Sequence, residues 1–582
     1  MSNDKKIFKV LVVQLARMGD ILQTTPVLFG LRQKFPGAQI DVVVRKSFRD
    51  ILVGNPFINN VIELDSMHIL ENLLNRKGSL VESTSRLKEF ISKIEEEKYD
   101  LVYNLTFSLS SSYFTWLISK GNVYGLTRSS DGYYTARDEW SKYFVGNVLN
   151  DGLNRKHIVD IFRNICGVED HDTSLYVHMP LASKQWFNSE LARHGIGPSD
   201  RLIAIQPGAS RVSKRWDADN FALLIRELIK LDDSFSFVIV GSRNEEKIGA
   251  HIIDKAGSKK VFSYVGKTNL QELSGILSRS ELLVSNDTGT LHIATALDVP
   301  VICVSVGPSS VYESGPYSFT KNYTITPRLS CYPCDYQTKC NLNNCKSLIP
   351  VDAVFELSKA ILTNAEPKIN FRDAQFDVYK GEVTTVKTDM NKQYSGIKYH
   401  SLRGKIASTE EIVSSIYSSL WNYTFNGYDE RILNFDNFPN QETVKELSSL
   451  IELLDKLQHL ADIGVRYSDL LLKELDSEQV ALDNVQHIGQ KMTVVDENVM
   501  TLGSVSNYLL PLTNIFKVHR ECLENIDIKD ITELTKNNYT RLKASCAFVC
   551  QMLLQVVNSS ANVSTGSSAT AYLNEKEASN VK

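Results

Sequence analysis

A chain of 582 residues is too long to be served by one hydrophobic core and divides, on ordinary domain sizes, into about three to four domains. With 43 % hydrophobic and 23 % charged residues it is globular, and a net charge of −4 offers no basic excess to make nucleic acid a main partner. The opening residues MSNDKK lead straight into a β-type run, and no stretch reaches the roughly 18 uninterrupted apolar residues of a membrane helix, so the expectation is a cytoplasmic protein with at most peripheral contact at the inner membrane face.

Taken in chain order, VLVVQL (10–15), IDVVV (40–44) and YDLVYNL (99–105) are near-continuous apolar runs separated by amphipathic helical patterns. RLIAIQ (201–206), FSFVIVG (235–241), LLVSND (282–287) and VPVICVSVG (299–307) form a second set, split from the first near residue 180 by a connection and a helix. Such runs predict parallel strands buried on both faces. The fold class is therefore α/β, with Rossmann-like domains over 1–180 and 181–365. VDAVFELSKAIL (351–362) predicts one more helix, and QFDVYKGEVTTVKTD (375–389) alternates like a small hairpin. From about residue 408 the pattern is helical: Val444, Leu447, Ile451, Leu454 and Leu457 recur at three and four behind Asn440, a fitting N-cap. A mainly helical extension is expected over 366–556, and the Ser/Ala/Asn-rich end, 557–582, reads as a disordered tail.

Three segments of the α/β half carry chemistry. In LVVQLARMGDILQTTPVL a strand enters a turn at Gly19 and then a helix, without the three glycines of a dinucleotide fingerprint. Asp20 there either caps a helix beginning at Ile21 or acts as a catalytic carboxylate. The loop Gln206–Trp216, QPGASRVSKRW, lets backbone approach a ligand while Ser210 and Lys214 offer a hydroxyl and a compact cation, a set suited to a diphosphate; the plainer alternative is a solvated basic loop. In SNDTGTLHIATA (285–296) an Asp287-Thr288-Gly289 turn opens a helix, whose free N–H groups and dipole favour an anion. Asp287 would fix the turn or receive ligand hydroxyls, and His292 is either structural or a ligand contact.

Of nine cysteines, four stand as Cys331-x2-Cys334-x5-Cys340-x4-Cys345. Four thiolates at this spacing can close a tetrahedron on a structural zinc or iron, or remain reduced thiols; a catalytic metal would lack an open position. Cys166, Cys303, Cys522, Cys546 and Cys550 lie in apolar or helical contexts and read as core residues.

Together, the Gly19-Asp20 turn with its Thr-Pro element, the Pro207–Trp216 loop and the Asp287-Thr288-Gly289…His292 helix start resemble glycosyltransferase family 9, the bacterial ADP-heptose:lipopolysaccharide heptosyltransferases, over roughly residues 7–365. The resemblance implies a GT-B fold, two facing Rossmann-like domains with the acceptor on the first and the nucleotide-sugar donor on the second. It implies metal-independent inverting transfer with no catalytic cofactor, Asp20 as general base, and Lys214 with the backbone at Thr288 and Gly289 steadying the departing diphosphate. By the same resemblance Ser210 and His292 contact phosphate and Thr268 lies near the adenine. Two positions depart from the pattern: Arg243 precedes Glu245-Glu246 where an acidic ribose contact is usual, and Asn104 stands where aspartate is common. The acceptor is expected to be a lipopolysaccharide-core or other glycan, lipid-linked or protein; the cysteine finger and helical extension point to the protein case, as in iron-finger relatives that heptosylate autotransporters. The extension also offers surface for homo-oligomer contacts. A non-enzymatic scaffold is disfavoured by the joint presence of Asp20, Lys214 and Asp287.

Overall fold

The computed structural model describes residues 7–564 except 75–79, 120–121, 150–152, 169–172, 198–199, 336–337, 388–392, 404–407, 428–438 and 524–526. The chain divides into two compact units, Met1–Thr127 with Lys156–Arg403, and Arg128–Arg155 with Gly404–Lys582.

In the first unit, β1 (Lys9–Val13), β2 (Gln39–Arg45), β3 (Asn60–Leu64), β4 (Leu101–Asn104) and β5 (Val123–Arg128) lie in the order β3-β2-β1-β4-β5, each pair parallel. Val10, Leu11, Val12 and Val13 are wholly buried, as a sheet covered on both faces requires. The helix after β1 spans Met18–Lys34, so it begins at Met18 rather than Ile21. Its interior Pro26 has no N–H for the Leu22 carbonyl, and Thr25 Oγ1 donates to that carbonyl instead at 2.6 Å. After β5 the chain passes into the second unit, where it forms the short strand β6 (Tyr134–Ala136), and returns at Lys156.

The second sheet of the first unit holds β7 (Arg201–Gln206), β8 (Phe235–Ile239), β9 (Val261–Ser263), β10 (Leu282–Asn286), β11 (Val301–Val304) and β12 (Asn322–Pro327). They run parallel in the order β9-β8-β7-β10-β11-β12, the 3-2-1-4-5-6 order of dinucleotide-binding sheets. The hairpin foreseen near 375–389 forms as β13 (Phe376–Lys387) and β14 (Gln393–Ser401), and adds antiparallel beyond β12. It therefore belongs to this sheet and not to a helical extension starting at 366. Helix Leu181–Arg193 packs against helix Leu270–Arg279 so closely that a Cβ on Gly275 would stand 2.6 Å from the Ser183 carbonyl oxygen.

The second unit is built on helices Thr409–Asn426, Gln441–Leu475, Leu482–Val505, Leu510–Glu521 and Ile528–Ser564. Asn440 caps as expected, its Oδ1 accepting from Thr443 N at 2.8 Å, and Leu447, Leu454 and Leu457 are fully buried. The tail expected over 557–582 is helix as far as Ser564; residues 565–582 lie outside the described residues. Residues 128–155, which the sequence assigns to the first Rossmann-like domain, belong here. Trp140 and Tyr143 pack their rings on Phe425 and Trp421, Trp140 Nε1 donates to Asn426 Oδ1 at 3.0 Å, and Glu139 pairs with His519 and Arg541. Burial raises the Glu139 carboxyl, but those partners outweigh it and hold it far below the usual range.

Two helices of the unit approach closely at Gly464, where a Cβ would stand 2.5 Å from the ring of fully buried Tyr539, itself fixed by Tyr539 Oη donating to Asp496 Oδ1 at 2.6 Å. Gly464→Val should cost this unit about 1–3 kcal/mol or more through overpacking. Chemical denaturation followed by circular dichroism reads it; an unchanged midpoint would contradict the close pairing of these two helices.

Candidate active site

Each sheet of the first unit reverses its strand order at one point, between β1 and β4 in the first and between β7 and β10 in the second. Open α/β sheets bind ligands in the crevice outside the carboxyl ends of such strands. The segments singled out in the sequence emerge at these two points: Gly19-Asp20 after β1, Pro207–Trp216 after β7, and Asp287–His292 after β10.

On the first sheet, Gln14 spans the reversal. Its Nε2 donates to Thr24 Oγ1 at 3.1 Å and to the Leu105 carbonyl at 3.2 Å, while Thr24 Oγ1 donates to the Asp20 carbonyl at 2.8 Å. Asp20 is the third residue of its helix, and its Oδ2 accepts from Arg17 N at 2.9 Å, the return bond of a capping box. Capping and chemistry are thus compatible, since one carboxylate oxygen holds the turn and the other is left over. Burial raises the Asp20 carboxyl above its ordinary value, the Arg17 N–H and guanidinium draw it back, and the charge of Asp287 pushes it up again. Asn104 is fully buried and structural: its Nδ2 donates to the Leu126 carbonyl at 2.6 Å and its Oδ1 accepts from Thr106 N at 3.0 Å.

On the second sheet, Asn286 pins the Pro207–Trp216 loop. Its Nδ2 donates to the carbonyls of Pro207 and Gly208 at 2.8 and 3.2 Å, and its Oδ1 accepts from Trp216 N at 2.9 Å. Lys214 Nζ is thereby delivered to Asp287 Oδ2 at 2.6 Å, with both side chains about nine-tenths buried (10 % and 11 % exposed), and Ser309 Oγ donates to the same oxygen at 2.8 Å. Burial pushes the Asp287 carboxyl up, but Lys214, His292 and Ser309 pull it below the usual carboxylate range. His292 is buried, its Nδ1 has no partner among the described residues, and burial lowers it to about 4, so the imidazole is neutral. Gln206 Oε1 is likewise buried without a partner. The orphaned atoms call for polar partners, and the buried Lys214 cation beside a helix N-terminus suits an anionic ligand.

The two helix starts touch. A Cβ on Gly19 would meet His292 Cδ2 at 2.9 Å, and Met18 packs directly on Gly289. Asp20, Lys214, Asp287 and His292 are therefore gathered in one place. Ser210 is exposed on the Pro207–Trp216 loop, and Thr268 is half-buried beyond β9, near where Gly266 N donates to the Gly241 carbonyl at 2.9 Å. Glu245 turns inward beneath Gly208 and Gly241, its Oε2 accepting from Ser242 N at 2.7 Å and Oγ at 3.0 Å, while Arg243 and Glu246 stay exposed.

The four clustered cysteines share one loop, and burial together with the neighbouring thiols raises Cys334. Among the described residues no three His, Cys, Asp or Glu stand where they could hold a metal ion. The cysteine loop braces the Pro207–Trp216 loop: Cys334 N donates to the Gly307 carbonyl at 3.3 Å, and Gly307 lies against the Ser213 carbonyl, where its φ of +71° and a Cβ distance of 2.6 Å admit only glycine. Sequence reasoning missed Ser309 and Glu313. Both follow β11 on the same carboxyl edge, and that position in the sheet was the available signal.

Two Rossmann-like halves meeting at their strand-order reversals make this unit a GT-B fold. A solved structure of a glycosyltransferase family 9 protein from Veillonella parvula DSM 2008 shares the fold at TM-score 0.50 and 22 % identity, covering 62 % of this chain and 98 % of that one. Residues 87–344 match the family model "Glycosyltransferase family 9 (heptosyltransferase)". Lipopolysaccharide heptosyltransferase 3 of Escherichia coli K12 is 25 % identical over 366 residues, covering 61 % of this chain and 98 % of that protein; the same-named Escherichia coli protein is 26 % identical over 293 residues, covering 49 % and 79 %. No helix among the described residues is long and apolar enough to cross a membrane.

Proposed function

We propose that the chain transfers heptose from ADP-heptose, with inversion, to a hydroxyl of a lipopolysaccharide-core or other surface-glycan acceptor. The observation that carries the reading is the meeting of Asp20, from one sheet's reversal point, with the Lys214–Asp287 pair from the other, close enough for Asp287 to raise Asp20. The names of the relatives support heptose and a lipopolysaccharide acceptor. The donor diphosphate would lie against Lys214 and the N–H groups of Thr288 and Gly289, which together supply the charge that a metal supplies elsewhere. Asp20 would take the acceptor proton as the hydroxyl oxygen attacks the anomeric carbon and the diphosphate departs. Ser210 and His292 are then phosphate contacts, and Thr268 borders the base.

A protein acceptor is the second reading. It is favoured by the helical unit, since the Escherichia coli K12 relative is matched over 98 % of its own length by 61 % of this chain. Calorimetry with ADP-heptose, UDP-sugars and GDP-sugars should give binding only to the ADP-sugar, followed by transfer to a heptose-lacking core oligosaccharide or to a protein. Preference for another nucleotide would overturn the donor assignment.

A further inference from the structure

Glu313 is the one carboxyl at this site that neither the capping box nor the buried ion pair uses. It sits in the short helix Val311–Ser314 after β11, half-buried, with no hydrogen bond or ion pair to its carboxylate among the described residues. The helix is held at both ends: Ser309 donates to Asp287, and the Gly315 carbonyl meets His157 Nε2 at 3.1 Å. Its Tyr312 ring packs on Tyr379 and Tyr399 of the hairpin. Burial and the charges of Asp287 and Asp20, against that of Lys214, bring Glu313 up to about 7. Titratable groups on the surrounding elements include His292, His157, Tyr379 and Tyr399; burial holds both imidazoles neutral, lowered to about 4 and about 3, and raises the Tyr399 phenol.

Three carboxyls share this space with one lysine, and a nucleotide sugar would add a diphosphate. Like charges so crowded do not all stay ionised. Asp287 is fixed as an anion by Lys214, and Asp20 keeps the Arg17 N–H bond that favours its ionised form. Glu313 has no such bond. We propose that Glu313 takes up one proton from solvent when the nucleotide-sugar donor binds and, as a neutral O–H donor at the cleft wall, leaves Asp20 as the anionic base. The proposal rests on the nucleotide-sugar reading above and adds to it the group that carries the proton.

Calorimetric titration of the full chain with ADP-heptose, without acceptor, tests this at pH 7.5 in two buffers of different ionisation enthalpy. The diphosphate diester does not itself titrate there. Wild-type protein should take up a substantial fraction of a proton, and its affinity should fall toward tenfold per pH unit above about 7. Glu313→Gln, which mimics the neutral acid, should take up none and bind with nearly pH-independent affinity. Folding of that variant is checked by its melting temperature, and the sign is set by linkage. Because the native Glu313 carboxyl lies above its ordinary 4.5, its ionisation weakens the fold as pH rises from about 4.5 to about 7. Glu313→Gln should therefore melt higher than wild type at pH 8 and no higher at pH 4. Uptake that survives in Glu313→Gln, or that disappears only in Asp20→Asn, overturns the proposal while leaving the donor reading standing. Failure of wild-type protein to bind ADP-heptose removes both.

Discussion

Asp20→Asn is expected to lower the transfer rate by about 10²–10⁴-fold while leaving donor affinity and thermal stability nearly unchanged. The fold should survive because the asparagine Oδ1 can still accept from Arg17 N, as Asp20 Oδ2 does at 2.9 Å. The proton-accepting oxygen, however, becomes an amide. The wild-type rate should also show an acid limb, falling as pH drops through the Asp20 pKa, because the base works only when ionised. Burial and Asp287 place that limb above the ordinary aspartate value of 3.8. Progress curves across pH for both proteins, with calorimetry of donor binding, check the two halves together. Full turnover by Asp20→Asn would reduce Asp20 to the capping residue that its hydrogen bond alone describes.

The reach of the sequence in this protein follows local density of signal. Strands β1, β2, β4, β7, β8, β10 and β11 announce themselves because each is an apolar run buried on both faces. The missed strands are unlike these: β3 is half-exposed NVIEL, β5 (VYGLTR) is broken by Gly125 and Thr127, β6 and β9 have three residues each, and β12 (NYTITP) buries alternating polar side chains. Residues 128–155 gave no sign of their partner, since the rings of Trp140 and Tyr143 meet Trp421 and Phe425 only through tertiary packing. In the site, Asp20, Lys214, Asp287 and His292 were legible because each follows a strand within a few residues. Glu313 was not, because its one signal, a place after β11, stands without a motif around it, and its neighbours Asp20 and Asp287 arrive from other strands. Ser210 was legible as a hydroxyl in the same loop as Lys214, whereas Thr268 was placed by resemblance alone.

The buried pair allows stability to be separated from chemistry. Lys214 and Asp287 are about nine-tenths buried, so removing either partner strands the other's charge. Lys214→Met alone should cost about 3–5 kcal/mol, and Asp287→Asn a similar amount, whereas the double variant should recover most of it because no unpaired charge remains. Activity should not follow stability. The double variant lacks the cation proposed to steady the departing diphosphate and should lose about 10²–10³-fold in rate however well it folds. Acid titration gives the matching signature. Asp287 lies below its ordinary 3.8, so its contribution is fully present above that value and is lost only as pH falls below it; the double variant should lack this acid-side loss. Denaturant melts at pH 7 and pH 3, set beside single-turnover rates, complete the cycle. A double variant that regained activity along with stability would make the pair a brace for the Asn286-pinned loop and move the diphosphate contact to the helix N-terminus at Thr288 and Gly289 alone.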